Sequence, residues 1–252
     1  MGATDDIAKR PSQAASQPSA PGLAQIVHLA WPMTLKAVFL HGTVVIDGWL
    51  VAPLGETALA AMGLGAALGG IFLGVIFAFS HAMQIRTAQA FGSAEPVHRK
   101  SVLAAGLCIG LIIGLVGVGV ILTQGMALLS LVAPDPDIAA HAWSYLSVFT
   151  IVILGESIGQ TIASHFNGCG RTRIPLIGYC LSVPINVTAS YVLIHGLWGL
   201  PAMGVAGAAM GSALAISVQT LFFISQVPLL IEGLEGSTKC KLLWNNETAK
   251  VT

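Results

Sequence analysis

Three ionisable side chains stand inside long stretches that carry no other charge: Lys36, Asp47 and Glu156. In a bilayer each costs at least about 2.5 kcal/mol to insert, so such groups face a protein interior or a watery cavity and mark ion or proton paths. Lys36 and Asp47 are 11 residues apart, about three helical turns, so they share a helix face but lie too far apart to pair. Asp47 faces an interior or a watery cavity, or else is an interfacial residue near the outer end of its run. Lys36 is a cavity charge, or else a structural one neutralised by a carbonyl or by Glu156. Glu156, Gln160 and Ser164 recur every four residues and make one polar stripe. Its buried glutamate can take and release a proton, or equally serve as partner to Lys36. A second stripe runs through Ser182, Asn186 and Ser190, with Pro184 inside it. Pro184 removes a backbone hydrogen bond and frees the carbonyl of Cys180. An asparagine beside a loose carbonyl in a kinked helix suits a cation or proton site, and polar glue between helices is the alternative. Lys36, Glu156, Gln160 and Ser182 are therefore the candidates for lining a cavity.

Other chemistry finds no residues to carry it. There is no Walker lysine motif, no His-Glu-x-x-His and no Gly-x-Ser-x-Gly. The four cysteines (108, 169, 180 and 240) form no Cys-x-x-Cys, and no two of the seven histidines lie three or four residues apart. No enzyme activity, metal or cofactor is expected. Isolated carboxylates in apolar segments point to transport.

The elements that must hold these groups follow from composition. Of 252 residues only 22 are charged, 11 basic and 11 acidic, or 9% against about 25% in an ordinary soluble domain. Apolar residues make up 55%, and 29 glycines add to them. This excludes a soluble enzyme, a disordered chain and a nucleic-acid binder with a basic face. A membrane core about 30 Å thick takes about 20 apolar helical residues. Six runs qualify: Ile26 to Val51, Ala58 to Ser80, Ser101 to Leu122, Trp143 to Ala163, Pro175 to His195 and Met203 to Ile231. The expected fold class is an all-α integral membrane bundle of six transmembrane helices. Residues 1–22 read as a disordered arm, 23–232 as the six-span unit, and 233–252 as a cytoplasmic tail or the cut link to a second lobe.

Charge placement supports the count. Apart from Lys36, every Lys and Arg falls in the N-terminal arm, the second loop, the fourth loop or the C-terminal tail. The first, third and fifth loops carry only Glu56, Asp135 and Asp137. Positive-inside reasoning puts both termini in the cytoplasm, with the plasma (inner) membrane as the expected location. Glycines four apart (Gly106, Gly110, Gly114; Gly70, Gly74; Gly207, Gly211) are read as close helix contacts.

Four segments, in register from about Leu29 to Ile224, resemble one family. Asp47-Gly-Trp-Leu-Val-Ala-Pro-Leu-Gly55 followed by Ala58-Leu-Ala-Ala-Met-Gly63 is similar to the first-span signature of multidrug and toxic compound extrusion (MATE) transporters. Ala88-Gln-Ala-Phe-Gly92 with Arg99 resembles their second loop, and Gly168-Cys-Gly-Arg-Thr-Arg-Ile-Pro175 their fourth. Asn186 through Tyr191-Val-Leu-Ile-His-Gly196, then Pro201-Ala-Met-Gly-Val-Ala-Gly-Ala-Ala209, resembles their fifth and sixth spans. The resemblance implies an antiporter exporting organic cations or drugs against H⁺ or Na⁺, with Asp47, Asn186 and Ser190 at the cation or proton site. Ser190 stands where many relatives carry a second Asp, Gly48 where Thr is usual and Pro53 where a basic residue is usual. The missing carboxylate at 190 favours H⁺ over Na⁺.

The family has twelve spans in two six-helix lobes, so the chain matches one lobe of a 6+6 transporter, the N-terminal one. The expected partners are a small organic substrate, membrane lipid and a second lobe, supplied by a separate chain or a second copy, with no nucleic acid. A lone lobe is expected to present Asp47 and both polar stripes to lipid. Two further readings stay open at this point: a lipid-linked-sugar flippase of the same superfamily, for which Lys36 is the one available basic residue, and a non-transporting truncated membrane module.

Overall fold

The computed structural model describes residues 22–92 and 96–248. The expected disordered arm lies outside them but for Gly22, as do Lys9, Arg10 and Lys250. Six α-helices follow in order: α1 (Leu23–Val51), α2 (Glu56–Gly92), α3 (Pro96–Val132), α4 (Pro136–Gly168), α5 (Arg173–His195) and α6 (Val205–Thr248). No strand occurs among the described residues. Each helix contains one stretch long and apolar enough to cross a membrane. Several run well past the hydropathy-based limits. α2 has 37 residues, about 55 Å of helix against a bilayer core of about 30 Å. Its extension carries His81, Gln84, Arg86 and Gln89, residues that leave the apolar run without breaking a helix. α6 likewise continues beyond its apolar stretch, Val205–Pro228, to Thr248.

Local signals place the ends. Asp135 caps α4 by accepting from the Asp137 N–H, with Pro136 at the first helical position. α5 stops at Gly196, whose φ of 69° is left-handed and whose N–H reaches back to the Val192 carbonyl.

α4 is the centre of the bundle. It packs against α2, α3 and α6, while α5 joins α6 on one side and α1 on the other. α1 sits at the edge, seated chiefly on α5. Large apolar side chains such as Val45, Trp49, Ile71 and Leu131 cover the outside. Lipid is as apolar as they are, so helix association here comes from close packing and polar contacts. Gly110 and Gly114 of α3 lie against Ser157 and Thr161 of α4, and Gly207 and Gly211 of α6 lie against the backbone of α5. Gly70 and Gly74 do not fit that expectation: no heavy atom would touch a Cβ at either. On α2 it is Gly65 and Gly69 that receive the rings of Tyr145 and Phe149. A spacing of four marks a helix face without saying which face meets a neighbour.

Candidate ion and substrate site

The site begins with Asp47, one turn from the C-terminal end of α1 and 4% exposed. Helix α1 turns it inward, where α5 and α6 supply its donors. Ser190 Oγ donates to Oδ1 at 3.3 Å, and Ser212 Oγ to Oδ2 at 3.0 Å. Asn186 Nδ2 donates to the same Ser212 hydroxyl at 2.9 Å. Ser212 thus links the aspartate and the asparagine. Ser190 can stand so close because its neighbour across the helix contact is Gly211.

Asp47 opens onto a cavity of about 190 Å³ among α1, α2, α4, α5 and α6. Asn186, Ser182 and Glu156 line it, together with the aromatic rings of Tyr145, Phe149 and Tyr179. Two of these lining residues carry a buried acceptor, Asn186 Oδ1 and Glu156 Oε2, that receives no hydrogen bond from the protein. Such buried acceptors without donors are uncommon and suit a positively charged or hydrogen-bond-donating guest.

A second cavity of about 200 Å³ lies next along α1, sharing Leu40 with the first. Lys36, His41, Ser80, His81, Gln84, Gln160, Ser164 and Asn167 give it a polar lining. Lys36 Nζ donates to Gln160 Oε1 at 3.0 Å and sits 5.2 Å from the Tyr179 ring centre. Gln160 Nε2 in turn donates to the Tyr179 hydroxyl at 2.6 Å. The chain Lys36, Gln160, Tyr179 forms a wall between the two cavities.

The structure thus brings Asp47, Asn186 and Ser190 together, and distributes the cavity candidates. Glu156 and Ser182 line the first cavity, and Lys36 and Gln160 the second. Ser190 lines neither; it supports Asp47 from behind. Two expectations change. Cys180 and Pro184 both lie on the exposed side of α5, away from Asn186, so the freed carbonyl does not join the site. The polar stripes also do not face lipid: Asn186 is 2% exposed and Glu156 3%, because α6 and α4 cover them within the lobe itself. Ser212, Gln219 and Tyr179 were not legible as site residues. Tyr179 precedes Ser182 by three and extends the α5 stripe by a turn, and Gln219, which accepts from Ser182 at 2.6 Å, lies seven after Ser212.

Removing the Ser212 hydroxyl separates the linked groups. Ser212→Ala is expected to cost about 1 kcal/mol, a melting shift of about 2–4 °C in detergent, whereas Ser212→Thr retains the bridge. Equal melting of the two variants would show that the bridge carries no weight.

A family model described as MatE matches residues 32–192, more than half of the chain. The chain belongs to the MatE family. The matched stretch contains Lys36, Asp47, Glu156, Gln160, Ser182, Asn186 and Ser190; Ser212 and Gln219 lie beyond it. Among curated relatives, a "Probable multidrug resistance protein NorM" of Bradyrhizobium diazoefficiens is 31% identical over 194 residues, 75% of this chain and 41% of the relative. Another of that name, from Chromobacterium violaceum, is 25% identical over 211 residues, 81% of this chain and 44% of the relative. The MatE chain therefore spans less than half the length of these relatives. A solved structure, "Crystal structure of MATE in the bent conformation", superposes with a TM-score of 0.73 at 22% identity, over 81% of this chain and 44% of that one. At that identity the likeness shows the fold: six membrane-spanning helices in one MATE lobe. The MatE chain is an integral membrane protein.

Proposed function

We propose that this MatE lobe serves a secondary antiporter, exporting small organic cations or drugs in exchange for protons. The observation that carries the reading is Asp47: a carboxylate 4% exposed, held by two hydroxyls, at the end of a cavity with aromatic walls and two donor-less acceptors. Oxygen acceptors and ring faces attract organic cations. One carboxylate in the cluster of Asp47, Ser190 and Ser212, where a second would be needed to match the charge of a carboxylate pair, suits H⁺ better than a tightly held Na⁺, which takes several oxygen ligands.

Alternating access needs two bodies that move against each other. The second is another six-helix lobe, supplied by a separate chain or a second copy, and the half-length match to relatives supports that. Export of a fluorescent organic cation, driven by an imposed pH gradient in everted vesicles, tests the reading. Equal efflux with and without the gradient would overturn it.

In this reading both termini face the cytoplasm of the plasma (inner) membrane. Support comes from the basic residues near the α2–α3 and α4–α5 connections, and their absence from the other three. In a Cys-free background, Asp135→Cys is expected to label rapidly from outside intact cells and Arg171→Cys only after permeabilisation. The reverse pattern would invert the topology.

A further inference from the structure

We infer that Glu156 is a second cation-binding group in the lobe, separate from Asp47, and that Lys36 is a tethered cation competing with the guest for it. The inference rests on the cation-export reading for its physiological meaning, and on geometry for its substance.

Glu156 is 3% exposed on the central helix α4 and lines the first cavity, and its buried Oε2 has no donor from the protein. A buried carboxylate oxygen without a partner is costly, and an arriving cation relieves that cost. Asn186, whose buried Oδ1 is also without a donor, lines the same cavity. The Tyr145, Phe149 and Tyr179 rings supply apolar and π surface between. The guest is a small monovalent organic ammonium.

Lys36 is placed to compete. Its Nζ lies not on Glu156 but on Gln160 Oε1, one helical turn further along α4 on the same face. Its charge acts on Glu156 through the low-dielectric interior. The lysine stem has four rotatable bonds, which give the head freedom to leave Gln160 for the carboxylate. With Lys36 on Gln160, Glu156 is open to the cavity; with Lys36 on Glu156, the carboxylate is neutralised and the guest displaced. A lysine that only supported the fold would have no effect on guest affinity through Glu156.

The test uses the full chain in lipid nanodiscs, with labelled tetramethylammonium as the probe. Glu156→Gln keeps the shape and removes the charge, and binding is expected to weaken at least about tenfold. Lys36→Gln keeps a donor for Gln160 and removes the competitor, and binding is expected to tighten about tenfold. The double variant should bind like Glu156→Gln alone, because without the carboxylate there is nothing to compete for. If Lys36→Gln does not hold its fold by thermal melting, Lys36→Met is read in its place. Unchanged binding in Glu156→Gln overturns the second site. Unchanged or weaker binding in the neutral Lys36 variant, or a gain that survives in the double variant, overturns the tethered competitor. Failure of the antiport reading looks different: vesicles show no gradient-driven export while this binding pattern holds.

Discussion

Asp47→Asn is expected to reduce gradient-driven efflux to background while leaving membrane insertion intact. The two side chains have the same shape, and the hydroxyls of Ser190 and Ser212 can rotate to accept from an amide as well as donate to a carboxylate. The exchange therefore costs about one hydrogen bond, about 1 kcal/mol, which a bundle with an extensive buried core tolerates. What it removes is the group proposed to bind a proton on one side of the membrane and release it on the other. Vesicle efflux and detergent melting together check it. Efflux at wild-type rate with unchanged pH dependence would take Asp47 out of the mechanism. Asn186→Ala is expected to be milder, since Asn186 supplies an amide to the cluster and not the titrating charge.

The largest stability effect is expected at Gly211. A Cβ built there would lie 2.5 Å from the Ser190 backbone nitrogen and 2.7 Å from its Cα, and backbone cannot give way as a flexible side chain does. Gly211→Ala should cost about 1–3 kcal/mol by overpacking and lower the melting temperature by about 2–4 °C per kcal/mol. It should also push Ser190 off Asp47, so efflux falls with stability. Gly207→Ala meets the Leu193 and Ile194 backbone and should behave alike in stability. Gly70→Ala, with nothing within 4 Å, is the control and should melt no lower than wild type. If all three variants melt together, the α5–α6 seam is looser than described.

The six helices were legible because hydropathy needs only runs of about 20 apolar residues. Their ends were not, since His81 to Gly92 continue α2 with polar residues that hydropathy discounts and helix propensity accepts. The meeting of Asp47 with Asn186 and Ser190 followed from a family resemblance; no spacing joins residues 143 positions apart. Ser212 was missed because one serine among small residues carries no pattern, and its role appears only when α6 lies across α5. The expectation that the stripes face lipid failed for the same reason. A stripe shows that a face is polar, but which neighbour covers it is decided by the whole bundle. Here α4 at the centre and α6 beside it do the covering.

The edge position of α1 bears on how the protein is made. α1 is made before α5, yet its main seat is α5, and Ser190 lies 143 residues beyond Asp47. At about 5–20 residues per second, α5 follows α1 by about 7–30 s, and Ser212 on α6 later still. For that interval Asp47 is in the bilayer without either hydroxyl that later holds it. Lys36 has to wait less long, because Gln160 arrives with α4 and can anchor the other half of α1 before α5 exists. Membrane assembly thus has a natural waiting point between the fourth and fifth helices, when α1 is caught at its middle by Lys36 and loose toward Asp47.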